Sequence, residues 1–226
     1  MQVFTLKDIL YEDDDIIVCH KHAGMAVQSA RSSQVDMESS LRNYLSQKND
    51  GEKIPYIGIM GRLDQPVEGV IIFAKNPETT KNLNHQMQQN KLEKYYLARV
   101  ADQENKLIEG QRGELVNFLL KEGRTNTSKV VREGTKASKR AALAYKVIVA
   151  GDNEGLLKIQ LKTGRHHQIR VQLAHAGMPI SGDRKYNPVA DGTKQLALCA
   201  YLLKFKHPRS GEEMIFEIKS VNESLR

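Results

Sequence analysis

The chain has 226 residues, of which 40% are hydrophobic, and a formal net charge of +7 at pH 7. This length and apolar content suffice for one substantial core, and we predict a single domain over residues 1–226. The two cysteines, Cys19 and Cys199, are too few for a disulfide framework or a zinc site, which favours a cytoplasmic protein. No apolar run is long enough to span a bilayer, so we expect no membrane association. The positive charge weakly favours a polyanionic partner.

Strand patterns recur along the chain and outnumber helix patterns. Apolar, β-branched or alternating residues predict strands over 8–11, 16–20, 56–60, 69–75, 94–101, 142–149, 156–162, 196–206 and 214–219. Helices are predicted from the cap Asp36 to Gln47, from Pro77 to Gln89, and from His166 to Ala176, just before Gly177. Because strands and helices do not alternate regularly, we predict an α+β fold with a mixed, mostly antiparallel sheet flanked by a few helices.

A candidate catalytic pair lies in two short segments, 61–75 and 161–175. Asp64 is placed in a turn just before an apolar run, and Arg165 is placed where a Thr-Gly turn opens a helix. A guanidinium beside a carboxylate favours its ionised form and can bind it through two hydrogen bonds. Taken alone, Asp64 is more typical of a turn residue than of a catalyst, and a basic residue at the position of Arg165 is common on protein surfaces.

The motifs in these segments, and their order along the chain, resemble those of the RluA-type pseudouridine synthases. Gly61 stands where that family usually has His, the segment 65–68 replaces a charged residue followed by Asp-Thr-Ser, and His22 replaces a common Pro. These departures leave Asp64 and Arg165 in place and concern the choice of RNA. The matching positions are Arg62-Leu63-Asp64, Gly69, Ala74-Lys75, Thr163-Gly164-Arg165, His167-Gln168-Ile169-Arg170, Gly177, Pro179-Ile180, Gly182-Asp183 and Tyr186.

The resemblance implies an RNA-modifying isomerase with a bent sheet and a central cleft, and with no cofactor. It would convert specific uridines of a ribosomal or transfer RNA stem-loop to pseudouridine. Asp64 would be the catalyst, Arg165 its ion-pair partner, and Tyr96 the ring that stacks on the target base. The first predicted strand begins at residue 8, so we expect no RNA-binding domain before it.

Basic residues at several positions are predicted to contact RNA, and each has a structural alternative. Arg62 is equally suited to a surface salt bridge, and Lys75 and Arg170 to capping strands or helices. The stretch from Lys121 to Arg140 has seven basic residues against two acidic ones and predicts a long hairpin or an exposed loop. Its charges would neutralise phosphates or simply be solvated. The predicted RNA-contacting set is Arg62, Lys75, Lys129, Arg132, Lys136 and Arg170.

No group of His, Cys or carboxylate residues has the spacing of a metal site, so we predict no metal and a monomer whose partner is RNA. Two other functions stay open on the residues alone. One is a non-catalytic RNA-binding relative of the same family. The other is an enzyme acting on a free nucleoside or glycoside, although ordinary glycosidases use two carboxylates and the core segments here offer one.

Overall fold

The computed structural model describes residues 4–29, 35–48, 54–190 and 193–225. The helices are α1 (Met37–Lys48), α2 (Pro77–Gln88) and α3 (Gln168–His175). The strands are β1 (Ile9–Glu12), β2 (Ile16–Lys21), β3 (Gly58–Ile59), β4 (Glu68–Ala74), β5 (Glu93–Ala101), β6 (Arg112–Glu122), β7 (Thr127–Val131), β8 (Lys139–Gly151), β9 (Glu154–Leu161), β10 (Leu198–Lys206) and β11 (Glu213–Glu217). The chain divides into two compact units, the first comprising Met1–Glu93 and Ala200–Lys219 and the second Lys94–Cys199 and Ser220–Arg226.

The first unit is built on strands in the order β1-β2-β4-β10, with β3 on β4 and β11 on β10. The β1–β2, β2–β4, β3–β4 and β10–β11 pairs are antiparallel. Every residue of β4 is buried, which explains its uninterrupted apolar run. Helix α2 begins where Asn76 accepts a hydrogen bond from Thr79 N (2.8 Å), with Pro77 in the first turn. On the apolar face of α2, Leu83 is buried in the core of this unit.

Gly69 allows β4 to approach β10 closely. A Cβ at Gly69 would lie 2.4 Å from the Cβ of Ala200 and 2.7 Å from its carbonyl oxygen. Real Cβ atoms do not approach other heavy atoms so closely, so the strand that follows Asp64 requires glycine here.

The second unit has strands in the order β5-β9-β8-β6-β7, all antiparallel to their neighbours. Helix α3 packs on this sheet, where Val171 joins Leu119 and Ala141 in a small core. The amide of Gln172 donates to Leu115 O (3.1 Å) and to Asn117 Oδ1 (2.8 Å), which ties α3 to β6.

Most of the predicted elements are confirmed, and two need correction. Strand β6 was missed, because its apolar residues do not alternate regularly with polar ones and only Leu119 in it is buried. Of the two alternatives for the basic stretch, the hairpin is confirmed, because β7 pairs with β6. Helix α3 begins at Gln168 instead of His166, because His167 adopts a left-handed conformation with φ 52°. No helix in the described ranges is long and apolar enough to cross a membrane.

Candidate active site

Asp64 lies at the start of a tight turn that leads into β4. The turn closes with a hydrogen bond from Val67 N to Asp64 O (2.9 Å). Leu63 and Val67 are buried on either side of it, whereas Asp64 is half-buried and Arg62 is exposed. Two apolar anchors therefore fix the turn and leave the carboxylate and the guanidinium at its surface.

Lys21, at the end of β2, fixes the same turn from below. Its side chain is fully buried, and its ammonium donates to the carbonyl oxygens of Gln65 (3.1 Å), Met25 (2.7 Å) and His22 (3.1 Å). Gly24 and Gln65 are joined by two further hydrogen bonds, Gly24 N to Gln65 O (2.8 Å) and Gln65 Nε2 to Gly24 O (3.0 Å). The loop after β2 and the Asp64 turn are thus held as one piece.

Burial lowers the pKa of Lys21 to about 7, although the negative charges of Asp64 and Glu68 act in the opposite direction. The sequence analysis missed this residue, because a lysine at the end of an apolar strand is usually solvated. The position of Lys21 in β2 could have indicated its burial, because every other residue of this strand except His20 is also buried.

Two histidine–carboxylate pairs are formed by the residues before and after Lys21 in the sequence. His20 Nε2 lies 2.9 Å from Glu68 Oε1, and Glu68 is almost completely buried at the start of β4. His22 Nε2 lies 2.7 Å from Asp8 Oδ1, and the two imidazole rings are 4.5 Å apart. Glu68 and His22 are among the positions that depart from the family pattern.

Tyr96 lies in β5 of the second unit and is 5% exposed, opposite Ile159 of β9. Its neighbour Tyr95 points to the other face of the strand, where it accepts a hydrogen bond from Gln160 (3.1 Å). Lys94 lies two residues before Tyr96, on the same strand face, and burial lowers its pKa to about 8. The sequence analysis did not single out Lys94.

Arg165 lies in a turn that Gln168 organises. The Oε1 atom of Gln168 accepts hydrogen bonds from Thr163 Oγ1 (2.7 Å) and Arg165 N (3.0 Å), while its amide donates to Ala142 O (3.1 Å). The Arg165 side chain is exposed, and its Nε donates to Arg140 O (3.0 Å). Asp64 belongs to the first unit and Arg165 to the second, so the ion pair between them stays a prediction.

Two of the predicted RNA contacts are engaged inside the protein. Arg170 is 4% exposed and binds Asp183 through two hydrogen bonds of 2.8 and 2.7 Å. This internal ion pair is the structural partner of Arg170, and its RNA contact stays a prediction. The ammonium of Lys75 donates to Glu12 Oε1 (2.9 Å) and to the Asp13 carbonyl, so it closes the β1–β2 turn, and its RNA contact also stays a prediction.

The three predicted contacts in the basic stretch are all exposed. Lys129 lies on β7 and forms an ion pair with Glu122 (2.7 Å) in which both side chains reach solvent. Arg132 and Lys136 lie in the connection between β7 and β8. Their RNA contacts stay predictions.

One cluster in the described residues has metal-ligand composition, comprising Asp13, Asp15 and His207. Its donor atoms already have protein partners. Asp13 accepts from Tyr11 Oη (2.9 Å) and lies 2.8 Å from His207 Nε2, while Arg209 Nε lies 2.7 Å from Asp15 Oδ2. A cation here would face the Arg209 guanidinium, so the cluster fits an internal ion-pair network better than a metal site.

The comparison with known proteins agrees with this geometry. The model of the RNA pseudouridylate synthase family matches residues 15–175. An uncharacterised RNA pseudouridine synthase of Aquifex aeolicus is 33% identical over 224 residues, which cover 94% of this chain and 69% of that protein. A ribosomal large subunit pseudouridine synthase C of Salmonella typhimurium is 31% identical over 226 residues, covering 96% and 67% of the two chains. The solved structure of human RNA pseudouridylate synthase domain containing 4 shares the fold, with a TM-score of 0.74 at 20% identity over 94% of this chain and 88% of that one.

A mixed sheet with three helices in the described residues, in this arrangement, is the α+β fold of pseudouridylate synthase domains. The chain belongs to the RNA pseudouridylate synthase family. The prediction of an isomerase that converts uridine in RNA to pseudouridine is confirmed.

Proposed function

We propose that this chain converts uridine in large-subunit ribosomal RNA to pseudouridine, with Asp64 as the catalytic carboxylate. The observation that carries this proposal is the Asp64 turn. The carboxylate is held at the surface between buried Leu63 and Val67, and the fully buried Lys21 fixes the following residue. Such preorganisation is what a single reacting carboxylate requires, because its geometry is set before the RNA arrives.

The reaction moves a glycosidic bond without any change of oxidation state. The bond from N1 of uracil to C1′ of the ribose breaks, the base turns over, and C5 bonds to the same C1′. The C5 proton leaves, and N1 gains a proton, so atoms balance and no cofactor is needed. Asp64 acts in its ionised form, either by attacking the sugar or by removing a sugar proton.

Arg165 and Tyr96 complete the proposed site. As the family resemblance implies, the Arg165 guanidinium forms an ion pair with the Asp64 carboxylate, and the Tyr96 ring stacks on the target base. Arg62, exposed two residues before Asp64, enters the space that the extruded base leaves in the RNA. The protein acts as a monomer in the cytoplasm.

The choice of large-subunit ribosomal RNA rests on the Salmonella typhimurium relative, whose name specifies that substrate and which is 31% identical to this chain. Transfer RNA is the second candidate substrate. A non-catalytic RNA-binding role is disfavoured, because a pure RNA binder gains nothing from a fixed carboxylate beside its anionic ligand.

The test is a map of pseudouridine in total RNA from cells that lack the gene. These cells are complemented with the wild-type gene or with Asp64→Asn. We expect one or more uridines of large-subunit ribosomal RNA to be modified only with the wild-type gene, because the amide retains the shape of the carboxylate and loses its charge. Asp152→Asn, in the exposed turn between β8 and β9, is the matched control and should restore modification. Modification by Asp64→Asn at the wild-type level would contradict the assigned role of Asp64, and modified uridines only in transfer RNA would contradict the assigned substrate.

A further inference from the structure

The β6–β7 hairpin extends beyond the strand that supports it. In the described registers, β8 pairs with β6 from Arg112 to Leu119, whereas β7 pairs with β6 from Phe118 to Glu122. The tip of the hairpin, residues 120–129, therefore consists of two strands and their turn. A two-stranded hairpin is marginally stable by itself, so contacts from elsewhere must hold the tip in place.

The first contact is made by Ser128, a buried residue of β7. Its hydroxyl donates to His166 O (2.9 Å) and lies 2.9 Å from His166 Nδ1. The other ring nitrogen, Nε2, lies 3.1 Å from Asn126 Oδ1 in the hairpin turn. His166, the residue after Arg165, is thus bound to both the strand and the turn of the hairpin.

The second contact is made by Tyr186, whose hydroxyl accepts a hydrogen bond from Ser128 N (2.7 Å). The same oxygen lies 2.8 Å from His167 Nδ1, and the His166 and His167 rings stack at 3.8 Å. The Tyr186 ring is itself fixed, because the Arg170 guanidinium lies 5.2 Å from its centre and is bound to buried Asp183.

We propose that Ser128, His166 and Tyr186 form a clasp that holds the basic hairpin in one position relative to the Arg165 turn, and so positions RNA for the reaction. This inference rests on the proposed function. Lys121, Arg124 and Lys129 are exposed on the hairpin, where they can neutralise phosphates. Phosphate contacts set the register of a bound nucleic acid, so the hairpin must not move relative to the turn that carries Arg165.

The three clasp residues are positioning residues, because they act on the RNA through the hairpin. If the clasp is loosened, the hairpin is mobile in the free protein and must become ordered when RNA binds. This additional loss of conformational entropy weakens RNA binding. Once the RNA is fully bound, the hairpin is again in place, and turnover at saturation is retained. The clasp therefore affects KM and not kcat.

The test uses the full chain with Ser128→Ala, which removes the hydroxyl contacts, and Tyr186→Phe, which removes the acceptor of the Ser128 amide. Amide hydrogen exchange of residues 120–131 is measured without RNA, together with KM and kcat on in vitro transcribed large-subunit ribosomal RNA. Ser138→Ala is the matched control, because Ser138 bonds only to the nearby Thr135 carbonyl among the described contacts. Ser128→Thr, which retains the hydroxyl, is the rescue variant.

We expect exchange at the hairpin to rise in both clasp variants, first at the Ser128 amide in Tyr186→Phe. KM should rise between about threefold and about tenfold for Ser128→Ala, the range set by the net value of one hydrogen bond. Ser138→Ala and Ser128→Thr should resemble the wild type.

Unchanged exchange in both clasp variants would overturn the clasp, and so would a fall in kcat with KM unchanged. If the wild-type protein forms no pseudouridine in any RNA, the proposed function fails. Hydrogen exchange and RNA affinity, measured by filter binding, then still decide for or against the clasp.

Discussion

The ammonium of Lys21 donates a hydrogen bond to the carbonyl oxygen of Gln65, the residue after Asp64, across 3.1 Å. A buried charge at the end of β2 therefore fixes the turn that carries the proposed catalytic carboxylate. Burying an ammonium costs free energy, and the three carbonyl acceptors offset only part of that cost. The cost should be visible in the pH dependence of stability.

The first prediction concerns this pH dependence. Burial lowers the pKa of Lys21 from 10.5 to about 7. Below about pH 7 both folded and unfolded chains bind the proton, and the cost of the buried charge is fully present. Between the two pKa values only the unfolded chain binds it, so the free energy of unfolding should rise by about 1.4 kcal/mol per pH unit. Lys21→Met should lack this rise.

Urea titrations at several pH values give the free energy of unfolding of the wild type and of Lys21→Met. In the difference between the two, contributions from other groups such as Lys94 cancel. The control is Lys81→Met on the exposed face of α2, which makes the same substitution outside the core. A constant difference for Lys21→Met across the same range would show that the buried lysine does not titrate there.

The second prediction concerns the close approach of β4 to β10. Gly69→Ala should lower the free energy of unfolding by about 1–3 kcal/mol, because the new Cβ would lie 2.4 Å from the Cβ of Ala200. Adding Ala200→Gly should restore part of the loss, since the carbonyl oxygen of residue 200 remains 2.7 Å from the new Cβ.

The matched control for this prediction is Gly123→Ala, in the hairpin turn, where a Cβ meets nothing within 4 Å. Chemical denaturation of these variants and the wild type gives the comparison. Equal stability of Gly69→Ala and Gly123→Ala would contradict the packing argument.

The elements that the sequence predicts well are those whose own residues determine them. Strand β4 follows from its continuous β-branched run, and α2 follows from Pro77 in its first turn. Strand β6 is different, because only Leu119 in it is buried and its place is set by pairing with β7 and β8. Pairing between strands that are distant in the sequence cannot be read from the local pattern of apolar and polar residues.

The residues of the candidate site also differ in how far the sequence predicts them. Asp64 and Arg165 are visible from their motifs. The ion-pair partners of Lys75 and Arg170 are not visible from the sequence, because the sequence shows that a residue is basic but not which residue it contacts. Arg170 binds Asp183, and Lys75 binds Glu12, which lies 63 residues away in the chain. Lys21 was missed for the same reason, since its three acceptors are backbone carbonyls on two separate loops.

The third prediction concerns Arg165. Arg165→Met should lower kcat by about a hundredfold, the usual effect of losing one charged partner in a site, with RNA affinity reduced far less. Arg165→Lys should remain impaired, because an ammonium cannot form two parallel hydrogen bonds with a carboxylate. Single-turnover kinetics at saturating RNA measure the effect. Wild-type turnover by Arg165→Met would show that the predicted ion pair with Asp64 is wrong or dispensable.

The fourth prediction concerns the basic residues Lys129, Arg132 and Lys136. Replacing all three by Gln should weaken RNA binding at low salt, because neutralising a phosphate releases counterions. The slope of log affinity against log salt should become shallower by about 0.7 to 0.9 for each phosphate that the variant no longer neutralises. The Lys129–Glu122 pair is exposed and contributes little to stability, so the variant should melt close to the wild type.

Titrations at several salt concentrations, with the RNA fragment that carries the modified uridine, measure this slope. The control is a triple Gln variant of Lys81, Lys204 and Lys219, which lie in the first unit, outside the hairpin. An unchanged slope for the variant of Lys129, Arg132 and Lys136 would mean that these charges are only solvated. The phosphate-binding residues would then have to lie elsewhere, with Arg62 the first to test, because it is exposed and lies two residues from the Asp64 carboxylate.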